Sequence, residues 1–101
     1  MLVVSLLFSD LAKFTSISEQ LQPEEIVEML NAYFSVITDI IRAHGGIVTQ
    51  FQGDAVLAVF NVPLEDPNHA LNAVKAAREM QEAMTKMIIS GHELHCRIGV
   101  N

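Results

Sequence analysis

Basic residues are scarce in this chain: six Lys and Arg stand against twelve Asp and Glu, a formal net charge of −6. A nucleic-acid surface needs a basic patch to neutralise phosphates, and this balance argues against one. A single cysteine, Cys96, rules out an internal disulfide and fits a reducing, cytoplasmic compartment. The five glycines and three prolines punctuate the chain and form no linker, and no repeat or low-complexity stretch is visible. Long apolar runs are missing as well. The opening run, Met1 to Phe8, lacks a basic flank and is far too short to span a bilayer, so it reads as a buried strand. What remains is 101 residues, half of them apolar, enough for one domain around one core.

The pattern along the chain divides cleanly. Leu2 to Ser9 is rich in branched residues, as a central strand is. Ser16 and Glu19 stand at capping-box spacing and predict a short helix to about Leu21. Pro23 suits the first turn of a longer helix, with Glu24 and Glu25 at its positive end. Ile26, Leu30, Phe34, Ile37 and Ile41 give that helix an apolar stripe, and Gly45–Gly46 stops it. Ile47 to Gln52 and Ala55 to Phe60 read as strands joined at Gly53–Asp54. Asp66 and Pro67 predict the start of a third helix, with Ala70, Leu71, Val74, Ala77, Met80, Met84 and Met87 facing the core and Gly91 ending it. Leu94 to Val100 closes the chain as a fourth strand. The alternation predicts Cys96 as a small packed hydrophobe.

Strand, helix pair, strand, strand, helix, strand is the split βαβ, ferredoxin-like order (βααββαβ). It predicts an antiparallel sheet ordered fourth, first, third, second, with both long helices on one face. The end of the first strand, carrying Asp10, then lies beside the start of the third, carrying Asp54. Two facing carboxylates repel unless a cation sits between them. Mg²⁺ and Mn²⁺ suit such a pair, with substrate phosphates and water completing the shell. The segment Leu11 to Thr15 offers backbone N–H groups to those phosphates. The other reading of the same residues is two ordinary turn aspartates, with Ser16 a helix cap. Of the four histidines, His44 reads as a helix-end charge and His69 as a surface residue of the third helix's first turn, while His92 and His95 flank a loop and strand without ligand spacing.

From Leu6 to Met80 the sequence resembles the first part of a class III adenylate/guanylate cyclase catalytic domain. The likeness combines the F-x-D-x-x-x-F-T turn (Phe8 to Thr15), the two-glycine helix stop and the G-D-A hairpin followed by A-V-F. The resemblance implies conversion of ATP, or GTP, to a 3′,5′-cyclic nucleotide and pyrophosphate in signalling. It implies two Mg²⁺ or Mn²⁺ ions held by Asp10 and Asp54 with the Leu11 carbonyl. Lys13, Phe14 and Thr15 would line the phosphates, and Gln50 would stand at the purine-selecting position. It also implies a homodimer with shared active sites, residues 1–101 being a single domain that lacks the family's C-terminal part. The cytoplasm is the expected location, either for the protein itself or for this domain as the cytosolic part of a larger or membrane-anchored protein, with no membrane contact by this segment.

Two positions depart from the family pattern. Lys13 stands where glycine is usual, and Gln50 replaces the lysine of adenylate cyclases or the glutamate of guanylate cyclases. An amide both donates and accepts, so Gln50 does not select one purine; it also reads as a plain solvent-facing strand residue. Two rivals remain. One is a catalytically inactive cyclase-like regulatory or dimerisation module; the other is a diguanylate-cyclase or polymerase-palm relative, which fits the A-V-F hairpin and F-T turn less well.

Overall fold

The computed structural model describes residues 4–12, 14–61, 66–84, 86, 88–89, 92–93 and 96–101. The elements are β1 (Ser5–Leu11), α1 (Phe14–Ser18), α2 (Pro23–Ala43), β2 (Gly46–Gln52), β3 (Ala55–Phe60), α3 (His69–Met84), β4 (Ile88–Ile89), β5 (His92–Glu93) and β6 (Cys96–Val100). Four strands form one antiparallel sheet in the order β2-β3-β1-β6. This is the expected ferredoxin-like arrangement, with β6 as the predicted fourth strand. The sheet alternates as one covered face requires: Ser5, Leu7, Ser9 and Leu11 point into the core, as do Val56, Ala58 and Phe60. Burying these against α2 and α3 builds a single core. Among the described residues, no helix is long and apolar enough to cross a membrane.

The helices depart from their sequence patterns in instructive ways. α1 begins at Phe14, two residues before the predicted cap, and Ser16 lies within it, exposed. Half-buried Phe14 and Ile17 pack on the core and outweigh the capping signal. α2 starts at Pro23 as expected, and the Gln22 N–H donates to the Glu25 carboxylate at 3.2 Å. Its buried residues, however, are Met29, Tyr33, Ile37, Ile40 and Ile41, so the helix is rotated from the predicted stripe. Leu30 and Phe34 flank the core, half-buried. The rotation places the Tyr33 hydroxyl 2.5 Å from Ser9 Oγ, which satisfies both buried oxygens.

In α3 the inward face is Ala73, Ala76, Met80 and Met84, while Leu71 and Val74 are 53% and 55% exposed. Alanines lie closest to the sheet because small side chains let a helix approach it. Asp66 does not cap the helix with Pro67 at its first position: α3 begins at His69, and Asp66 instead closes the preceding turn, accepting from the Asn68 N–H at 2.9 Å. α3 ends at Met84, short of the predicted Gly91, and the β-branched Ile88–Ile89 pairs with His92–Glu93. Met87, Gly91, Leu94 and His95 lie outside the described residues. Two histidines join elements: His44 Nε2 lies 2.5 Å from Glu79 of α3, and half-buried His69 Nδ1 lies 2.7 Å from Ser5 Oγ. His69 is therefore not a plain surface residue.

The β2–β3 hairpin turns at Gly53, whose φ of +59° favours glycine. Its ladder shifts register between Val48 and Gln50: Val48 pairs with Ala58, and Gln50 with Leu57. Thr49 is the extra residue of this β-bulge, and its hydroxyl donates to the Leu57 carbonyl at 3.3 Å. The bulge changes the parity of the strand. Val48 lies inward with Ala58, whereas Gln50 lies with Leu57 on the uncovered face of the sheet.

Candidate active site

The uncovered face is where β1, β3 and β6 bring distant residues together. Phe8 pairs with Leu57 on one side and Gly99 on the other, and Asp10 pairs with Arg97. A groove of about 600 Å³ runs over this face, lined by residues that include Phe8, Asp10, Gln50, Gln52, Leu57 and Arg97. Beside it, at the end of β1, a second cavity of about 380 Å³ is lined by Asp10, Leu11, Phe14, Thr15, Ser16, Asp54 and Arg97. Asp10 and Arg97 line both.

The sequence-predicted residues therefore fall into two connected groups. Asp10, Leu11, Phe14, Thr15 and Asp54 meet in the smaller cavity, and Gln50 faces the adjoining groove, exposed. Lys13 lies outside the described residues. Asp54 reaches back to the first strand: its Oδ2 accepts from the Leu11 N–H at 2.9 Å, joining positions 43 apart in sequence. This bond continues the β1–β3 ladder just past its last paired residues, Ser9 and Val56.

Arg97 is the residue that sequence reasoning missed. Its Nε and Nη2 donate to Asp10 Oδ1 and Oδ2 at 2.9 and 3.1 Å, a bidentate fork. These hydrogen bonds and the carboxylate charge raise Arg97 still further above its ordinary pKa. A lone arginine in the apolar run "CRIGV" was the available signal. Beneath the site, burial pushes the Tyr33 phenol well above its ordinary value; the Ser9 hydrogen bond opposes this, and the charges of Cys96, Asp54 and Asp10 add to it.

The donor set is chemically uniform. Two carboxylates and the main-chain carbonyl of Leu11 are hard oxygen donors, suited to Mg²⁺ or Mn²⁺ rather than to a thiophilic metal. Among the described residues, no group of three or more His, Cys, Asp or Glu gathers at all, so the acidic contribution at this site is the two carboxylates. The pair already attracts positive charge, a guanidinium on Asp10 and an N–H dipole on Asp54. Such residues fit a divalent cation.

Fold and site together define a split βαβ domain with an oxygen-donor centre at a strand end, opening onto a groove across the bare sheet. The chain belongs to the adenylate and guanylate cyclase catalytic domain family, whose model matches residues 2–101. It is 41% identical over 81 residues to "Adenylate cyclase 1" of Rhizobium meliloti (strain 1021), a match covering 80% of this chain and 12% of that protein. The crystal structure of the guanylyl cyclase Cya2 superposes with a TM-score of 0.88 at 40% identity, covering 96% of this chain and 52% of that one. The guanylate cyclase domain of RhGC from Catenaria anguillulae, solved in complex with GTP, gives 0.91 at 30% identity, covering 96% and 54%. The chain thus spans about half of these solved chains and a small part of the Rhizobium enzyme.

Proposed function

We propose that this chain is the N-terminal portion of a class III nucleotidyl cyclase domain. It would convert ATP, or alternatively GTP, to the 3′,5′-cyclic nucleotide and pyrophosphate in signal transduction. The observation that carries this reading is the meeting of Asp10 and Asp54 in one cavity with Leu11, Phe14 and Thr15, in a member of this family. In the reaction the ribose 3′-hydroxyl loses its proton and attacks the α-phosphate. The new P–O bond closes the ring as the bond to the β-phosphate breaks.

Asp10 and Asp54, with the Leu11 carbonyl, would hold two Mg²⁺ or Mn²⁺ ions. When bound, these ions lower the pKa of the 3′-hydroxyl and offset phosphate charge. The chain's own contribution is placement. The Leu11 N–H fixes the Asp54 carboxylate, and the strand pairing fixes Asp10 beside it. Lys13, Phe14 and Thr15 would run along the triphosphate, and the buried Ser9–Tyr33 pair keeps the floor of the site closed. Gln50 would meet the purine edge in the adjoining groove. Its amide donates and accepts, so it would accommodate either base. ATP is the preferred assignment, because curated relatives such as the Rhizobium protein bear the name adenylate cyclase.

The active form would be a homodimer with shared active sites, a second copy covering the bare sheet face. Its nucleotide substrates and unpaired Cys96 suit the cytoplasm. In the full-length protein with Mn²⁺ and ATP, cyclic AMP formation is expected, falling at least a hundredfold in Asp10→Asn and in Asp54→Asn, on the order of the loss when transition-state charge stabilisation is removed. Full activity in both variants would refute the metal assignment. Calorimetry showing no metal-dependent nucleotide binding would instead identify a non-catalytic regulatory or dimerisation module.

A further inference from the structure

The Asp10 and Asp54 carboxylates are held in different ways. Asp54 is anchored through one oxygen to the main chain, a contact that need not break for a cation to approach. Asp10 has both oxygens engaged by one guanidinium. That contact is set by the fold, since Asp10 and Arg97 are direct partners in the β1–β6 ladder. It is also easily released, because the Arg97 side chain is 71% exposed and nothing buries it. A divalent cation approaching Asp10 therefore meets a fixed-charge competitor for the same two oxygens, and like charges at such separation repel.

We propose that Arg97 is a positioning residue that competes with the divalent cation for Asp10 and so ties metal loading to arrival of the triphosphate. The inference rests on the reading of Asp10 and Asp54 as metal ligands. Before substrate arrives, Arg97 holds Asp10 in its strand-end geometry and neutralises it. Arg97 also lines the cavity of Thr15 and Ser16. Phosphate oxygens entering that cavity offer the guanidinium an acceptor of higher charge, matched to its planar fork. Arg97 then leaves Asp10, and the carboxylate turns to the metal. Linkage makes the effect reciprocal: whatever factor nucleotide adds to metal affinity, metal adds to nucleotide affinity.

The test is Mn²⁺ binding to the full-length protein without nucleotide, read from the free Mn²⁺ signal in electron paramagnetic resonance. Arg97→Met should bind Mn²⁺ about two- to fivefold more tightly than wild type, the range of an exposed ion pair lost from competition. Arg97→Lys, which keeps the charge but loses the fork, should fall between them. A residue that merely supported the strand would weaken metal binding or leave it unchanged when replaced. Equal or weaker Mn²⁺ binding by Arg97→Met, where wild type binds and Asp10→Asn does not, overturns the inference alone. No Mn²⁺ binding by wild type or Arg97→Met overturns the metal reading and this inference with it.

Discussion

Tyr33 places a phenol in the core, and the fold tolerates it because Ser9 lies within hydrogen-bond distance of its oxygen. Cys96 is its counterpart on β6: burial pushes the thiol up to about 11, so it keeps its proton under ordinary conditions and takes no part in chemistry. Both shifts have one consequence for stability. Between the ordinary thiol pKa of about 8.5 and the raised value, the unfolded chain has released a proton that the folded chain retains. The folded state then binds more protons, and stability falls as pH rises through this window. Urea midpoints measured from pH 8 to pH 10.5 should decline, and Cys96→Val should flatten the part of the slope above pH 9. A midpoint that rises with pH would contradict the burial of these groups. At this scale Asp10 and Asp54 were legible because strand order alone brings them together. Arg97 was not, because its meeting with Asp10 depends on β1–β6 register, and a slip of one residue would have turned it to the core.

The elements of the main sheet and its helices were legible in order, the short β4–β5 pair was not foreseen, and the faces of the helices were less legible still. α3 shows why. Apolar spacing favoured Leu71 and Val74, yet the helix turns Ala73 and Ala76 to the sheet and leaves the larger pair exposed. Hydrophobicity ranks side chains by size, whereas a close helix–sheet contact selects small ones, and only the assembled sheet says which demand prevails. The bulge at Thr49 was invisible for a similar reason: periodicity assumes an unbroken ladder, and the extra residue changes which face Gln50 occupies. The junction of α2 and β2 is tightly packed at Gly46. A Cβ at Gly46 would lie 2.7 Å from the Phe60 ring and 2.8 Å from Ile41 Cγ2. Phe60 and Ile41 are fully buried, so neither yields easily. Gly46→Ala should therefore cost about 1–3 kcal/mol by overpacking. Chemical denaturation would measure it, and a loss below about 0.5 kcal/mol would show that the junction relaxes freely.

A four-stranded sheet covered by helices on one side leaves its other side to be met by something, and here that side is divided by chemistry. Toward one end stand Leu6, Val59 and Ile47; Phe8, Leu57 and Gln50 share the next row, and toward the other end stand Asp10, Gln52 and Arg97. Phe8 is 49% exposed and Ile47 39%, more than the interior of a finished assembly would leave. The solved relatives extend to nearly twice this length, and a second subunit is the proposed cover for the face. The polar end must stay open to substrate, which leaves the apolar end as the contact. Ile47 lies at the apolar end, paired with Val59 and outside the groove lining. A charge introduced there would be trapped unpaired in a closed interface, at a cost that dissociates it. In the full-length protein, Ile47→Glu should shift sedimentation from dimer to monomer at micromolar concentration and should leave the far-ultraviolet circular dichroism unchanged. Activity should fall with the dimer fraction and return as protein concentration rises. A variant that stays dimeric would place the subunit contact elsewhere. One that becomes monomeric with full activity would show that the site does not need a second copy.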